Sequence, residues 1–143
     1  MADTGYSSFN TTVDKTNRIL NEIEEACGWS KEQRNRSYAA LRAVLHAVRD
    51  RLTVDASAQF AAQLPMLIRG IYYDGWNPSS VPVKADKEAF LQRVRREFPF
   101  EADDDDIEDI THEVLSTLKD HVTDGEWDHI RMSMGRKLAS VLD

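Results

Sequence analysis

The chain has 143 residues, of which 41% are hydrophobic and 30% charged, a composition typical of a soluble globular protein with one domain or two small units that share a core. Its single cysteine, Cys27, excludes an intramolecular disulfide and indicates a reducing compartment. The net charge is −7, and the acidic excess lies in the second half: residues 1–73 carry 9 basic and 8 acidic side chains, whereas residues 74–143 carry 9 basic and 17 acidic ones. An acidic chain repels phosphate backbones, which argues against nucleic-acid binding.

The N-terminal stretch MADTGYSSFN lacks a basic region followed by an apolar run, so it does not resemble a secretory signal. No segment approaches the roughly 20 consecutive apolar residues that span a bilayer. We therefore expect a cytoplasmic protein with no membrane span and a flexible N-terminus over residues 1–8.

Apolar residues at steps of three and four predict three helices over residues 9–73, the first helical unit. Gly28 ends the first helix, a capping box of Ser30 and Gln33 opens the second, and Thr53 caps the third. The stripes expected to be buried are Phe9, Val13, Thr16, Leu20, Ile23 and Cys27, then Tyr38, Leu41, Leu45, Val48 and Leu52, then Ala56, Phe60, Leu64, Ile68 and Ile71.

Three aromatic residues, Tyr72, Tyr73 and Trp76, surround an Asp-Gly turn at the start of a Pro/Ser-rich linker over residues 74–84. Large aromatic side chains are favoured both in packed seams and in binding clefts, so two interpretations stay open. The aromatics either pack between two helical units or line a cleft for a ligand or a partner's apolar helix, with Arg69 as a further candidate residue.

The second unit, residues 85–143, shows a similar pattern. Phe90, Val94 and Phe98 predict a short helix. The acidic run Asp103 to Asp106 starts the next helix, where carboxylates cap free amides and favour the helix dipole. A capping box of Thr123 and Glu126 opens the last helix. The remaining stripes are Ile107, Ile110, Val114, Leu118 and Val122, then Trp127, Ile130, Met134, Leu138 and Val141.

The two units resemble each other at an offset of 70 residues, where VLHAVRDRLT from Val44 aligns with VLSTLKDHVT from Val114. A matched Asp and Thr at the turn indicate an internal duplication rather than two unrelated amphipathic helices. Pro65 aligns with Gly135, and both residues weaken a helix. We therefore predict that the third helix of each unit breaks at this point, with Pro65 at the first position of a short fourth helix.

No set of residues supports catalysis. Two acid-x-x-His motifs, Asp109 to His112 and Glu126 to His129, match half of a carboxylate-bridged di-iron site, but the two histidines lie at different heights along a helical hairpin. Cys27 lies near a helix C-terminus, where the dipole opposes a thiolate. We expect no catalytic, metal-binding or cofactor-binding residues, and no nucleic-acid partner.

The run AAQLPMLIRGIYYDGW, preceded by LRAVLHAVRDRL, resembles an uncharacterised bacterial family, the domain of unknown function numbered 2267. Members share a helical run that ends in Gln-Leu-Pro, here Gln63 to Pro65, often followed by an aromatic stretch. The second unit departs from this motif with Ser-Met-Gly at residues 133–135. The resemblance implies a bacterial, soluble, all-helical protein and implies no activity or cofactor.

These observations predict an all-α fold with two tandem three-helix repeats, six or more helices, packed as one pseudo-twofold bundle. The leading hypothesis for function is a non-enzymatic protein-interaction or regulatory module that binds an unknown protein partner or a second copy of itself. The alternative is a helical protein that binds a small ligand or lipid in the seam near Tyr72, Tyr73 and Trp76.

Overall fold

A computed structural model describes residues 3–142, and the regular elements in that range are helices with no strand among them. This confirms the predicted all-α fold class. The helices are α1 Ser7–Cys27, α2 Arg34–Arg51, α3 Val54–Ala61, α4 Met66–Tyr73, α5 Lys87–Glu97, α6 Asp104–Lys119, α7 Asp124–Met134 and α8 Ala139–Leu142. Short 3₁₀ turns occupy Lys31–Gln33, Pro78–Ser80 and Arg136–Leu138.

Helix α2 is the centre of the bundle, and every residue from Ala43 to Arg49 is buried. It packs against α1, α4, α5 and α6, while α1 also packs against α6. One continuous apolar core therefore joins both predicted units, with Leu45 and Phe60 from the first and Phe90 and Trp127 from the second.

The predicted breaks in the third helices are confirmed. The chain leaves α3 after Ala61 and restarts at α4, and α7 ends at Gly135, whose φ of +83° is readily reached only by glycine. Pro65 is the N-cap of α4, so it lies one residue before the predicted first helical position. An N-cap suits proline because its missing N–H is not needed there.

Between the two predicted units, α1 packs against α6 and α2 packs against α5. The pseudo-twofold arrangement, and the division into residues 9–73, 74–84 and 85–143, stay predictions. The predicted flexible N-terminus lies partly outside the described residues, and within them α1 already begins at Ser7. Residue 143 also lies outside the described residues.

The capping box predicted for Thr123 and Glu126 is half wrong. The hydroxyl of Thr123 does accept the amide hydrogen of Glu126, at 3.1 Å. The amide of Thr123, however, donates to Oε1 of Gln63 at 2.8 Å, so it does not bind the Glu126 carboxylate. The Gln-Leu-Pro motif is thus structural: Gln63 joins α3 to the start of α7, Leu64 is buried, and Pro65 begins α4.

Candidate functional site

Two residues predicted to be buried are exposed instead: Phe9 is 52% and Tyr38 is 41% solvent-exposed. Each lies near the N-terminal end of its apolar stripe, and around Tyr38 the neighbouring Ser37 and Ala40 are fully buried, so Tyr38 is exposed on one face of α2 only. Within residues 3–142, the large apolar side chains that are exposed are Tyr6, Phe9, Tyr38, Val54, Met66, Leu67 and Met132. Four of these seven line a single groove.

This α1–α4 groove is an open depression of about 570 Å³. It is lined by Thr4, Phe9, Thr12, Val13, Tyr38, Arg42, Met66, Leu67, Gly70, Ile71 and Asp74. Tyr6 extends its apolar rim, because its ring packs edge-on against Phe9 with centroids 5.0 Å apart. A β-carbon added at Gly70 would have no neighbour within 4 Å, so glycine leaves this part of the groove empty.

Hydrogen bonds hold the walls of the groove in place. The amide of Leu67 in the first turn of α4 donates to Oγ1 of Thr12 on α1 at 2.8 Å, which satisfies an amide that the helix itself leaves free. The hydroxyl of Thr4 donates to Oδ1 of Asn10 at 2.7 Å and fixes the chain ahead of Tyr6. The exposed apolar side chains are therefore mounted on an ordered backbone.

The charged residues of the groove are paired with each other. Arg42 Nη2 donates to Asp74 Oδ2 at 2.7 Å. This hydrogen bond, with the charge of Arg42, lowers the pKa of the Asp74 carboxyl below its usual range and raises the pKa of Arg42. The Asp74 side chain is still 63% exposed, and Arg42 Nε also lies 3.9 Å from Oε1 of Glu97.

The C-terminal end of α4 is anchored by a buried histidine. His46 on α2 is 3% exposed, and its Nε2 lies 2.8 Å from the carbonyl oxygen of Ile71. Because a carbonyl oxygen only accepts, Nε2 is the donor in this contact. Nδ1 lies 2.8 Å from the carboxylate of Glu97 on α5, so His46 joins three helices behind the groove.

Tyr72 is a core residue. It is fully buried, its ring packs edge-on against Phe60 at 5.6 Å, and its hydroxyl lies 2.9 Å from Oγ of Ser57. Burial raises the pKa of the Tyr72 hydroxyl well above its usual value. Tyr73 and Trp76 are half-buried and pack on each other at 5.1 Å.

Within residues 3–142, neither the α1–α4 groove nor four further surface cavities are lined by Tyr72, Tyr73 or Trp76. Arg69, the fourth candidate residue, turns back onto the C-terminus of α3. Its guanidinium donates to the carbonyl oxygens of Ala61 and Leu64 at 3.0 and 3.2 Å. Such a cap satisfies carbonyls that a helix end leaves free.

The residue that fixes the aromatic stretch is Arg49, which the sequence reasoning missed. It is buried in α2 and donates to the carbonyl oxygens of Tyr72 and Asp74 at 3.3 and 2.8 Å. Its neighbour Asp50 accepts from Arg49 and from Arg93 of α5, each at 2.8 Å. The available signal was an Arg-Asp pair directly after the mostly apolar run from Ala43 to Val48.

Cys27 lines a second cavity, of about 440 Å³, between α1 and α6. Burial, with a smaller contribution from the charge of Glu113, raises the pKa of the Cys27 thiol from 9.0 to about 11. This agrees with the expectation that the thiol is unreactive, since only the thiolate is a nucleophile.

We expect Cys27 of the folded protein to react with iodoacetamide roughly a hundredfold more slowly than the urea-unfolded chain at about pH 8, because two pKa units remove that share of thiolate. The rate of the folded protein should climb steadily up to about pH 11. Mass-spectrometric alkylation kinetics measure both rates. Equal rates for the folded and unfolded chains would contradict the raised pKa.

The histidines of the two acid-x-x-His motifs contact different groups. Nδ1 of His112 lies 3.3 Å from the carbonyl oxygen of Val141, and Nδ1 of His129 lies 3.7 Å from Oε1 of Glu126. Across residues 3–142, no group of three or more His, Cys, Asp or Glu side chains is arranged to hold a metal ion. In the same range, no helix combines the length and apolarity needed to cross a bilayer.

The fold and its groove define a compact helical-bundle protein with an exposed apolar surface on α1, α2 and α4. The chain belongs to the family described as uncharacterized conserved protein (DUF2267), whose model matches residues 16–141. The match includes the Gln-Leu-Pro motif and the aromatic stretch of the first unit. Among curated proteins, the comparison found no match.

Proposed function

We propose that this protein is a non-enzymatic interaction module of the cytoplasm and that it binds a protein partner through the α1–α4 groove. One observation carries the proposal. Of the seven large apolar side chains exposed within residues 3–142, four line the groove and a fifth, Tyr6, packs on its rim. Scattered apolar residues need no explanation on a protein surface, whereas a contiguous cluster marks an interaction site.

The size of the cluster supports the same function. Its five side chains are 41–60% exposed. At about 150–250 Å² for a whole aromatic side chain, the three aromatic members alone present roughly 300 Å² of surface, a size at which an apolar patch on a monomer is often functional. Leaving this surface in water costs free energy, which a bound partner recovers.

The shape of the groove supports a protein partner over a small ligand. Small-molecule sites bury roughly 70–90% of their ligand in a cleft or cavity. The α1–α4 groove is open, and the seam near Tyr72, Tyr73 and Trp76 contributes no lining to the cavities described above. The apolar cluster supports the interaction function, and the ligand- or lipid-binding alternative stays a prediction.

Site-specific photo-cross-linking tests this function. A benzophenone amino acid is placed at Met66 in the groove or, as the control, at Met132, which is 82% exposed on α7. In cells that naturally express the protein, we expect discrete protein adducts from position 66, no such adducts from position 132, and their loss when Gly70→Leu fills the groove. Identical adducts from both positions, or none from position 66, would refute the proposal.

A further inference from the structure

We infer that the bond between Asp74 and Gly75 is a latent site of isoaspartate formation and that Arg42 protects it. This inference is independent of the proposed function, because it concerns a covalent change in the turn after α4 and not a bound partner. Asp-Gly is a reactive dipeptide, since glycine has no side chain to hinder ring closure. The sequence contains two such dipeptides, at residues 74–75 and 124–125.

The reaction needs only the chain itself and water. The amide nitrogen of Gly75 attacks Cγ of Asp74 with its lone pair, and the N–Cγ bond forms while the carboxyl hydroxyl leaves with the amide proton as water. The product is a cyclic succinimide. Water then adds back and breaks one of two bonds. Breaking the new N–Cγ bond restores aspartate, whereas breaking the original peptide bond leaves isoaspartate, in which the main chain runs through Cβ and Cγ.

The site is open to water. The Asp74 side chain is 63% exposed, and Gly75 is exposed as well. A β-carbon added at Gly75 would have no neighbour within 4 Å, so neither the succinimide ring nor an attacking water meets a steric obstacle there. Access therefore does not limit the reaction, and any protection comes from charge and from backbone conformation.

Arg42 supplies the protection by charge. Its Nη2 donates to Oδ2 of Asp74 at 2.7 Å. This hydrogen bond and the charge of Arg42 lower the pKa of the Asp74 carboxyl. Ring closure uses the protonated carboxyl, because a carboxylate would have to expel an oxide ion. The ion pair therefore keeps Asp74 in its unreactive, ionised form down to a lower pH than a free aspartate.

The backbone supplies a second protection, because residues 73–76 form a type II turn in which Asp74 has φ −60° and ψ 120° and Gly75 has φ +78°. The Trp76 amide closes this turn by donating to the carbonyl oxygen of Tyr73 at 2.9 Å. Arg49 holds it by donating to the carbonyl oxygen of Asp74 at 2.8 Å. Ring closure requires the Gly75 nitrogen to eclipse Cβ of Asp74, whereas a ψ of 120° makes it eclipse Hα instead. The turn therefore opens before the ring can form.

Isoaspartate at residue 74 changes both arginine contacts. Cγ becomes the main-chain carbonyl carbon, so Arg42 loses its carboxylate partner. The former α-carbonyl becomes a free carboxylate, so Arg49 faces a charge where it bound a carbonyl oxygen. The main chain is also one carbon longer, which breaks the geometry of the turn. The modification therefore releases the C-terminal end of α4 and the aromatic stretch from their anchors on α2.

Ageing of the full chain at neutral pH tests the inference. The parent, Arg42→Gln and Arg42→Lys are incubated side by side, isoaspartate is labelled with an isoaspartyl methyltransferase, and its position is assigned by peptide mapping. We expect Arg42→Gln to raise the rate at residue 74 by roughly threefold to fivefold, the range that the free energy of an exposed ion pair supports. Arg42→Lys keeps the charge and should stay within about twofold of the parent.

The second Asp-Gly dipeptide is the internal control. Asp124 and Gly125 lie in the first turn of α7, where the helical backbone opposes ring closure, so their rate should be the same in all three proteins. If Arg42→Gln does not fold, the parent in high salt takes its place, because salt screens an exposed ion pair and should raise the rate at residue 74 alone. Equal rates at residue 74 with and without the Arg42 charge, or an equal rise at residue 124, would overturn the inference.

Discussion

Replacing Tyr72 with alanine is expected to lower the free energy of unfolding by about 3–5 kcal/mol, the range for truncating a large buried aromatic side chain. Tyr72 is fully buried and packs edge-on against Phe60 and Tyr73, with centroids 5.6 and 5.2 Å apart. Its loss leaves a cavity between α3 and α4 that the fixed backbone of α4 cannot close. Urea unfolding followed by circular dichroism measures the change.

Two companion variants divide this loss into its parts. Tyr72→Phe removes only the hydroxyl, which lies 2.9 Å from Oγ of buried Ser57, and is expected to cost about 1–2 kcal/mol. Tyr73→Ala truncates a half-buried neighbour and should cost clearly less than Tyr72→Ala. A cost for Tyr72→Ala no larger than that for Tyr73→Ala would contradict a core role for Tyr72.

Replacing Arg49 with methionine is expected to destabilise the fold by about 3–5 kcal/mol, the range for removing one member of a buried charged network. The guanidinium binds the carbonyl oxygens of Tyr72 and Asp74 and the carboxylate of Asp50. Methionine keeps most of the apolar stem but leaves these buried acceptors short of a donor. The loss should appear in chemical unfolding and as faster amide exchange in the turn after α4.

Arg93→Met is the matched control for this variant. Arg93 binds the same Asp50 carboxylate at 2.8 Å, but its side chain is 30% exposed. A surface pair of this kind contributes about 1 kcal/mol or less. If the two substitutions cost the same, the buried carbonyl contacts of Arg49 contribute nothing and the proposed anchoring of the aromatic stretch is wrong.

Together these expectations give Tyr72 and Arg49 structural roles, while Tyr73 and Trp76 stay candidate site residues. Tyr72 fills the core, and Arg49 holds the backbone on either side of Tyr73. Tyr73 and Trp76 pack on each other beside it. Of the two interpretations left open by the sequence, packing explains Tyr72 fully, and Arg69 is accounted for as the cap of α3. Within residues 3–142, the α1–α4 groove gathers four of the seven exposed large apolar side chains, and core packing does not explain their exposure.

Much of the fold could be predicted because local patterns and tertiary packing agree. Residues such as Ile23, Leu45 and Leu118 recur at helical spacing, and each is buried as expected. The breaks at Pro65 and Gly135 follow from the backbone chemistry of those two residues and are confirmed. Where one residue type strongly limits the backbone, the sequence alone was sufficient.

The groove could not be predicted because hydrophobic periodicity shows which face of a helix is apolar but not which part of that face the other helices leave exposed. Phe9 and Tyr38 continue the stripes of α1 and α2, yet both stay exposed in the groove beside α4. The partner of Thr123 was missed for a related reason: Gln63 lies 60 residues away, and only the fold brings its side chain to that amide. Contacts between distant residues leave no local signal.

The most direct test of the groove as the functional surface compares two positions in one cross-linking experiment. The benzophenone amino acid is placed at Met66 in the groove or at Trp76 in the aromatic stretch, where it replaces one aromatic side chain with another. We predict protein adducts from position 66 that Gly70→Leu abolishes, with none from position 76. The control Gly125→Leu places the same side chain at an exposed glycine of α7 with nothing within 4 Å, and it should retain the adducts. Adducts from position 76 that persist when Gly70→Leu fills the groove would contradict this and place binding at the aromatic stretch.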